Sequence, residues 1–329
     1  MSKAFLEDLN IKPDTFLEVG SGSQGEQTGQ MLMQVEKQLT KEKPNLTLVE
    51  GDTNSSLAGA LASSKLQIPV GHVEAGCRSF EFYMPEEINR KLIDHCAELL
   101  FAPTQTAYNN LRREGIANRA YIVGSTLTDI CQKIAESTNI QKQKIMETLG
   151  LGEGGLYALA TIHRRENIED KEKLTQIMEA LSSLPIRTIF PVHPHTSKKL
   201  GEFDLSKKLK RYEHLILSKP LSYSPFIYLL KHARLAITDS GGIQEEASIL
   251  NTPCITTRSK TEWPETVKAG KNILTGPFKD RILRTANKII FNENFYKKMR
   301  NRKSPFRGGA GAKIAEIVEN FITTKQSKR

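Results

Sequence analysis

Short apolar runs alternate with longer amphipathic stretches along this chain. In the first half, strand-like runs at 46–50, 68–73, 98–102 and 120–123 are each followed by a helical pattern, at 54–66, 85–97, 104–114 and 125–137. A charged, strand-free stretch at 132–153 follows and ends in Gly152-Glu153-Gly154-Gly155, which reads as a domain boundary. The alternation then resumes, with strands at 156–161, 186–192, 214–218, 234–238 and 253–257 and helical patterns at 168–183, 222–232, 242–250 and 278–291. A last amphipathic helix, at about 312–323, comes after the loop at 305–309. Strands separated by helices predict an α/β protein whose parallel sheets are covered on both faces. The expected organisation is a domain over 1–150, a second over 151–310, a cleft between them, and a C-terminal helix and basic tail over 311–329.

Composition narrows the class. The 329 residues, 38% hydrophobic and 26% charged, suffice for two ordinary domains with real cores. No apolar run approaches the roughly 18 residues that a membrane helix needs, and the N-terminus lacks a basic-then-apolar leader pattern. Cys77, Cys96, Cys131 and Cys254 are far apart and form no C-x-x-C pair, so they read as reduced cytoplasmic thiols. The formal charge of +10 is concentrated at 198–211, 297–303 and 325–329. These runs lack interleaved aromatics and match no nucleic-acid module, so they read as solvated helix faces whose field would favour an anionic small substrate.

Candidate chemistry clusters where strands end, because ligands of α/β proteins bind beyond the carboxyl ends of strands. His72-Val73-Glu74-Ala75-Gly76 closes one strand, and Pro85-Glu86-Glu87-Ile88-Asn89-Arg90 opens the helix that follows. Glu74 and Glu86 are thereby aimed at one crevice and suit proton abstraction and donation. Complementing a helix dipole, or an i,i+4 pair of Glu86 with Arg90, fits the same residues. Asp52 ends the preceding strand in Gly51-Asp52-Thr53-Asn54 and reaches the same sheet edge; there it, or Asn54, equally fits a helix cap. In the second half, Thr161-Ile162-His163-Arg164-Arg165-Glu166-Asn167 presents an imidazole and guanidiniums suited to anion binding or acid–base work. Asp239-Ser240-Gly241-Gly242-Ile243-Gln244-Glu245-Glu246 offers open N–H groups for phosphate and a carboxylate one turn further on for ribose hydroxyls. Gly20-Ser21-Gly22-Ser23-Gln24-Gly25 matches G-x-G-x-x-G but follows no proper strand and reads as a loop before a helix at 24–40. His193 and His195 have no third ligand at useful spacing, so no metal site is expected. Trp263 reads as core or cleft wall.

Taken together, and in this order, the five motifs around Asp52, Glu74, Glu86, His163 and Ser240 resemble those of the non-hydrolysing UDP-N-acetylglucosamine 2-epimerases. The resemblance implies two Rossmann-like, doubly wound domains in a glycosyltransferase-B-like arrangement. It implies interconversion of UDP-GlcNAc and UDP-ManNAc through C2 proton removal, UDP elimination to a 2-acetamidoglucal, and re-addition, with no metal or nicotinamide. Asp52, Glu74 and Glu86 become the acid–base candidates, with His163 at the substrate. Ser240, Gly241 and Gly242 would hold the diphosphate, Glu246 the ribose and Phe226 the uracil region. A homodimer making polysaccharide precursors in the cytoplasm is implied as well. Alternatives are a hydrolysing relative releasing N-acetylmannosamine and UDP, an epimerase of a modified UDP-sugar, and an inactive UDP-sugar-binding module. The family's opening strand and Gly-Thr-Arg-Pro-Glu motif find no counterpart before residue 20, so a separate N-terminal segment is expected to supply them. Without it, the first sheet is expected to be split and to expose an apolar seam. The family also favours Arg where Trp263 stands.

Overall fold

The computed structural model of the chain describes residues 6, 9, 11–20, 22–137, 148–150 and 155–327. Its strands form two all-parallel sheets, one in each of two compact units. The first unit comprises Pro13–Asp129 with Phe306–Arg329, and the second includes Ile130–Pro305. The boundary expected at Gly152-Glu153-Gly154 falls outside the described residues, as does Ser21 of the early glycine-rich segment.

In the first unit, strands β1 (Thr47–Glu50), β2 (Val70–Val73), β3 (Leu99–Ala102) and β4 (Ala120–Ile122) pair in sequence order. The sheet is therefore not split, contrary to the expectation above. Each strand is joined to the next by a segment containing a helix, and adjacent strands pair directly, Thr47 opposite Val70, Gly71 opposite Leu99 and Leu100 opposite Ala120. β3, Leu-Leu-Phe-Ala, is buried at every position, as a central strand must be. β1 is an edge, with Val49 buried and Leu48 exposed. The helix Asn54–Lys65 lies close on it because Gly59 has no side chain: a Cβ there would stand 2.9 Å from Val49 Cγ1. The C-terminal helix Ala310–Gln326 buries Ala310 and Ile314 against Leu99, Phe101 and Val123.

In the second unit the order is β10-β9-β8-β5-β6-β7. The strands are β5 (Tyr157–Thr161), β6 (Arg187–Pro191), β7 (Leu215–Ser218), β8 (Leu235–Thr238), β9 (Cys254–Thr256) and β10 (Asn272–Leu274). The chain winds outward from β5 to β7, returns to pair β8 with β5, and winds the other way. The reversal between β5 and β8 is where a doubly wound sheet opens a crevice at its carboxyl edge. Two helices flank that edge, Pro194–Glu202 after β6 and Gly241–Ile249 after β8. The core gathers Ile237, Ile255, Leu174, Ile177, Ile282 and Ile289 into one cluster. Among the described residues no helix is long and apolar enough to cross a membrane.

Candidate active site

Carboxylates collect at the carboxyl ends of β1 and β2. Gly51 leaves β1 with φ +67° and Glu74 leaves β2 with φ +75°. Glutamate seldom occupies this left-handed region, and residues held there concentrate at working sites. The Glu74 carboxylate lies against Gly51, its Oε2 at 3.5 Å from where a Cβ of residue 51 would stand. Next along the chain, Asp52 accepts from Arg90 Nη2 at 2.5 Å, and its carbonyl accepts from Asn89 Nδ2 at 2.8 Å. The helix Pro85–Cys96 supplies both donors. The twin glutamates at its start diverge. Glu87 is fully buried and accepts from Ser79 N at 2.8 Å, Ser79 Oγ at 3.1 Å, Phe80 N at 3.2 Å and Arg90 Nη1 at 3.1 Å. Glu86, one residue earlier, is half-buried. Thr53 caps the helix Asn54–Lys65 by accepting from Ser56 N, so neither Asp52 nor Asn54 is its cap. A β-region backbone and a hydroxyl three residues before an open N–H suit Thr53 to this role.

Beneath these loops His72, Asp94 and Arg78 form a fully buried group that the partly exposed Glu114 completes. His72 Nδ1 is 2.6 Å from Asp94 Oδ1 and His72 Nε2 is 3.0 Å from the Gly51 carbonyl oxygen. Arg78 Nη2 donates to Asp94 Oδ2 at 2.6 Å, while its Nε and Nη2 donate to Glu114 at 2.8 and 2.7 Å. Burial alone would raise the Asp94 pKa, but the charge and hydrogen bond of His72, followed by those of Arg78, hold it below the usual carboxylate value.

In the second unit, the reversal point opens a pocket of about 420 Å³ lined by Thr161, His163, Ser240, Gly242, Phe226 and Glu246, among others. That volume suits a small-molecule ligand. Asp239, wholly buried at the end of β8, fixes the loop after β5 by accepting from His163 N at 3.0 Å, Arg164 N at 3.1 Å and Asn167 Nδ2 at 3.0 Å. The His163 imidazole stays 37% exposed. Burial lowers its pKa against the pull of Asp239, and the charges of Arg164, His193 and Arg258 lower it further. The helix Gly241–Ile249 carries no side-chain cap, and a Cβ on Gly242 would meet nothing within 4 Å, so its first turn is open to the pocket. One turn in, burial pushes the Glu246 pKa up to about 7, against a hydrogen bond from Tyr223.

Gly241 faces elsewhere. A Cβ there would collide with Glu262 Oε1. Glu262 is itself fixed by Arg164 Nη2 at 3.1 Å and Arg258 Nη1 at 2.7 Å, and Arg258 Nε reaches Glu166 at 2.8 Å. Trp263, only 3% exposed, starts the helix Pro264–Lys268, its carbonyl accepting from Thr266 N and Oγ1.

The structure therefore brings Asp52 and Glu74 to adjoining strand ends, with Glu86 at the start of the helix that anchors Asp52. It gathers His163, Ser240, Gly242, Glu246 and Phe226 around one pocket, while Gly241 packs on Glu262 outside the lining. Sequence reading missed Tyr223 and His193 as lining residues, along with the Arg258–Glu262–Arg164 group. Tyr223, at the first position of a helix, carried no distinguishing signal, and His193 was weighed only as a metal ligand. Among the described residues no group of three His, Cys, Asp or Glu is placed to hold a metal.

The profile of the family described as UDP-N-acetylglucosamine 2-epimerase matches residues 1–319. A UDP-N-acetylglucosamine 2-epimerase of Methanocaldococcus jannaschii is 47% identical over 97% of this chain and 87% of its own length. A UDP-2,3-diacetamido-2,3-dideoxy-D-glucuronate 2-epimerase of Pseudomonas aeruginosa is 39% identical over 97% of this chain and 87% of its own. The crystal structure of the M. jannaschii enzyme in complex with UDP-GlcNAc and UDP superposes with a TM-score of 0.89 at 46% identity, covering 97% of this chain and 88% of the other. That of the Neisseria meningitidis enzyme bound to UDP-GlcNAc gives 0.87 at 32% identity, covering 98% and 88%.

Proposed function

Because the chain belongs to the UDP-N-acetylglucosamine 2-epimerase family, we propose that it interconverts UDP-GlcNAc and UDP-ManNAc with the residues described above. The observation that carries the reading is the pocket at the β5/β8 reversal, which joins an uncapped helix N-terminus to a buried carboxylate one turn further on. The N–H groups around Ser240 and Gly242 suit the two phosphates. Glu246, as a carboxylate, accepts from both ribose hydroxyls, and Phe226 stands against the base. His163, held neutral by its lowered pKa, serves the sugar–phosphate region as a hydrogen-bond partner.

The proton chemistry is assigned to Asp52, Glu74 and Glu86. A carboxylate takes the C2 proton, the electron pair forms the C1–C2 double bond, and the C1–oxygen bond breaks with its electrons going to UDP. UDP then adds back at C1 while a proton returns to the opposite face of C2. Two faces require two proton carriers, which a cluster of carboxylates on adjoining elements provides. We place the reaction in the cytoplasm, consistent with four free thiols. A homodimer is supported by the exposed apolar group Phe80, Phe82, Tyr83, Ile88 and Leu92, which a second copy would cover.

Incubation with UDP-GlcNAc in deuterated water is expected to yield UDP-ManNAc carrying deuterium at C2. Glu74→Gln is expected to stop the incorporation and to leave UDP binding, measured by calorimetry, unchanged. Release of free N-acetylmannosamine in place of UDP-ManNAc would overturn the reading in favour of hydrolysis.

A further inference from the structure

Resting on that acid–base reading, we propose that Asp94, acting with His72, is a positioning residue that fixes the three carboxylates relative to one another. The three sit on three separate pieces of chain: Asp52 after β1, Glu74 after β2, and Glu86 at the start of the helix Pro85–Cys96. Asp94 is linked to all three, to the first of them through His72. Through Oδ1 it binds His72 Nδ1 at 2.6 Å, and the far side of that ring holds the Gly51 carbonyl at 3.0 Å, one residue before Asp52. Through Oδ2 it accepts from Gly76 N at 3.1 Å, two residues beyond Glu74. Its own backbone belongs to the helix that begins beside Glu86.

Both ring nitrogens of His72 lie within hydrogen-bond distance of oxygens, Asp94 Oδ1 on one side and the Gly51 carbonyl on the other, and the ring has no exposure to solvent. His72 and Arg78 face the carboxylates of Asp94 and Glu114 in one connected group. Charge-assisted hydrogen bonds of this kind are short and directional. They suit a site where a left-handed Glu74 must be held against its own backbone preference. Gly76 adds a second constraint. At φ +81° a Cβ there would strike the Ala107 carbonyl, and its own carbonyl is bound by Asn110 Nδ2 at 3.0 Å, so the turn after Glu74 is gripped from both sides. None of these groups lies among the carboxylates assigned to the chemistry. Their part is geometric, and a displacement of about 1 Å at a reacting group can cost 100-fold in rate.

The test compares the full chain with Asp94→Asn, His72→Gln and His72→Asn, using Glu74→Gln as the control for the underlying reading. Asp94→Asn keeps the shape but puts an amide where His72, Arg78 and Gly76 all donate. Expected is a fall in kcat of roughly 10- to 100-fold, a matching fall in C2 deuterium incorporation, and KM and UDP affinity within twofold of the parent. Gln at position 72 can still donate to Gly51 and Asn can still donate to Asp94, so each is expected to retain part of the lost kcat. A purely structural role would lower Tm while kcat per folded molecule stayed at the parental value, and that result overturns the proposal. Should Asp94→Asn fail to fold, the two His72 variants decide, and parental kcat in both overturns it. If no variant folds, the group is only a support of the fold and the proposal falls. If Glu74→Gln itself leaves C2 exchange intact, the acid–base reading fails and takes the proposal with it. Loss of exchange in Glu74→Gln with parental kcat in Asp94→Asn rejects the positioning role alone.

Discussion

The buried Glu246 carboxyl makes the stability of the chain depend on pH. Its folded-state pKa is about 7, against an ordinary 4.5, chiefly because burial disfavours the charge. Between these values the native chain holds more protons than the unfolded one, so this group makes stability fall as pH rises from 4.5 to 7. The full effect is as large as about 3 kcal/mol and persists above pH 7. Glu246→Gln is expected to melt higher than the parent at pH 8, with little difference at pH 4.5. The same change should weaken UDP binding about tenfold or more, because an amide cannot accept from two hydroxyls through two oxygens. In the parent, UDP affinity should decline as pH drops through 7. Thermal melts and calorimetric UDP titrations at several pH values check this, and parental affinity in Glu246→Gln would remove it from the ribose. At this scale the sequence displayed the residue types well, since carboxylates and glycines at strand ends are local signals. It could not display Glu74 in the left-handed region or the pairing of Asp94 with His72, because both depend on residues 18 to 22 positions apart meeting in space.

The helix Gly241–Ile249 separates two glycines that read alike in sequence. Gly241 leaves room for Glu262, whose carboxylate is pinned by two arginines. Gly242 leaves room for nothing in the protein and borders the pocket. Gly241→Ala is therefore expected to lower Tm by several degrees, since the methyl group drives Glu262 from its partners and leaves buried charge unsatisfied. Gly242→Val should keep the fold near parental stability yet reduce UDP affinity at least tenfold by covering the open N–H groups. Melting curves and UDP titration of the two variants check the split, and equal UDP affinity in Gly242→Val and the parent would leave that glycine as a mere turn. Long elements were the legible ones. The β-strands flanked by amphipathic helices emerge near their expected places, whereas β10, three residues long, and the short helices Leu205–Leu209 and Pro264–Lys268 went unread. Segments this short contain less than two helical turns, or a single alternation, and leave no periodicity to detect.

At the scale of the whole molecule, the end of the chain belongs with its beginning. The helix Ala310–Gln326, set apart in the sequence reading, packs on β3 in the first unit. Asp129 secures its start, accepting from Gly309 N at 2.5 Å and Gly311 N at 3.1 Å, where an anion also complements the helix dipole. The loop before it binds Ser125 N through the Arg307 carbonyl at 3.0 Å. Periodicity could announce the helix but not its destination, because an apolar stripe says that a face is covered and not by what. Ending the chain after Pro305 is expected to uncover Leu99, Phe101 and Val123, a loss of roughly 5 kcal/mol at about 1.5–3 kcal/mol for each large apolar side chain fully buried. The second unit holds its own core, with β5 and β8 paired centrally, and every residue of that core precedes the cut. Hydrogen exchange should then show amides of 99–102 losing protection while those of 235–238 keep theirs. UDP should still bind, since every residue lining the pocket remains. C2 deuterium incorporation should vanish with the collapse of the strand ends that carry Asp52 and Glu74. Undiminished protection at 99–102 would mean that the helix merely rests on a sheet that is stable without it.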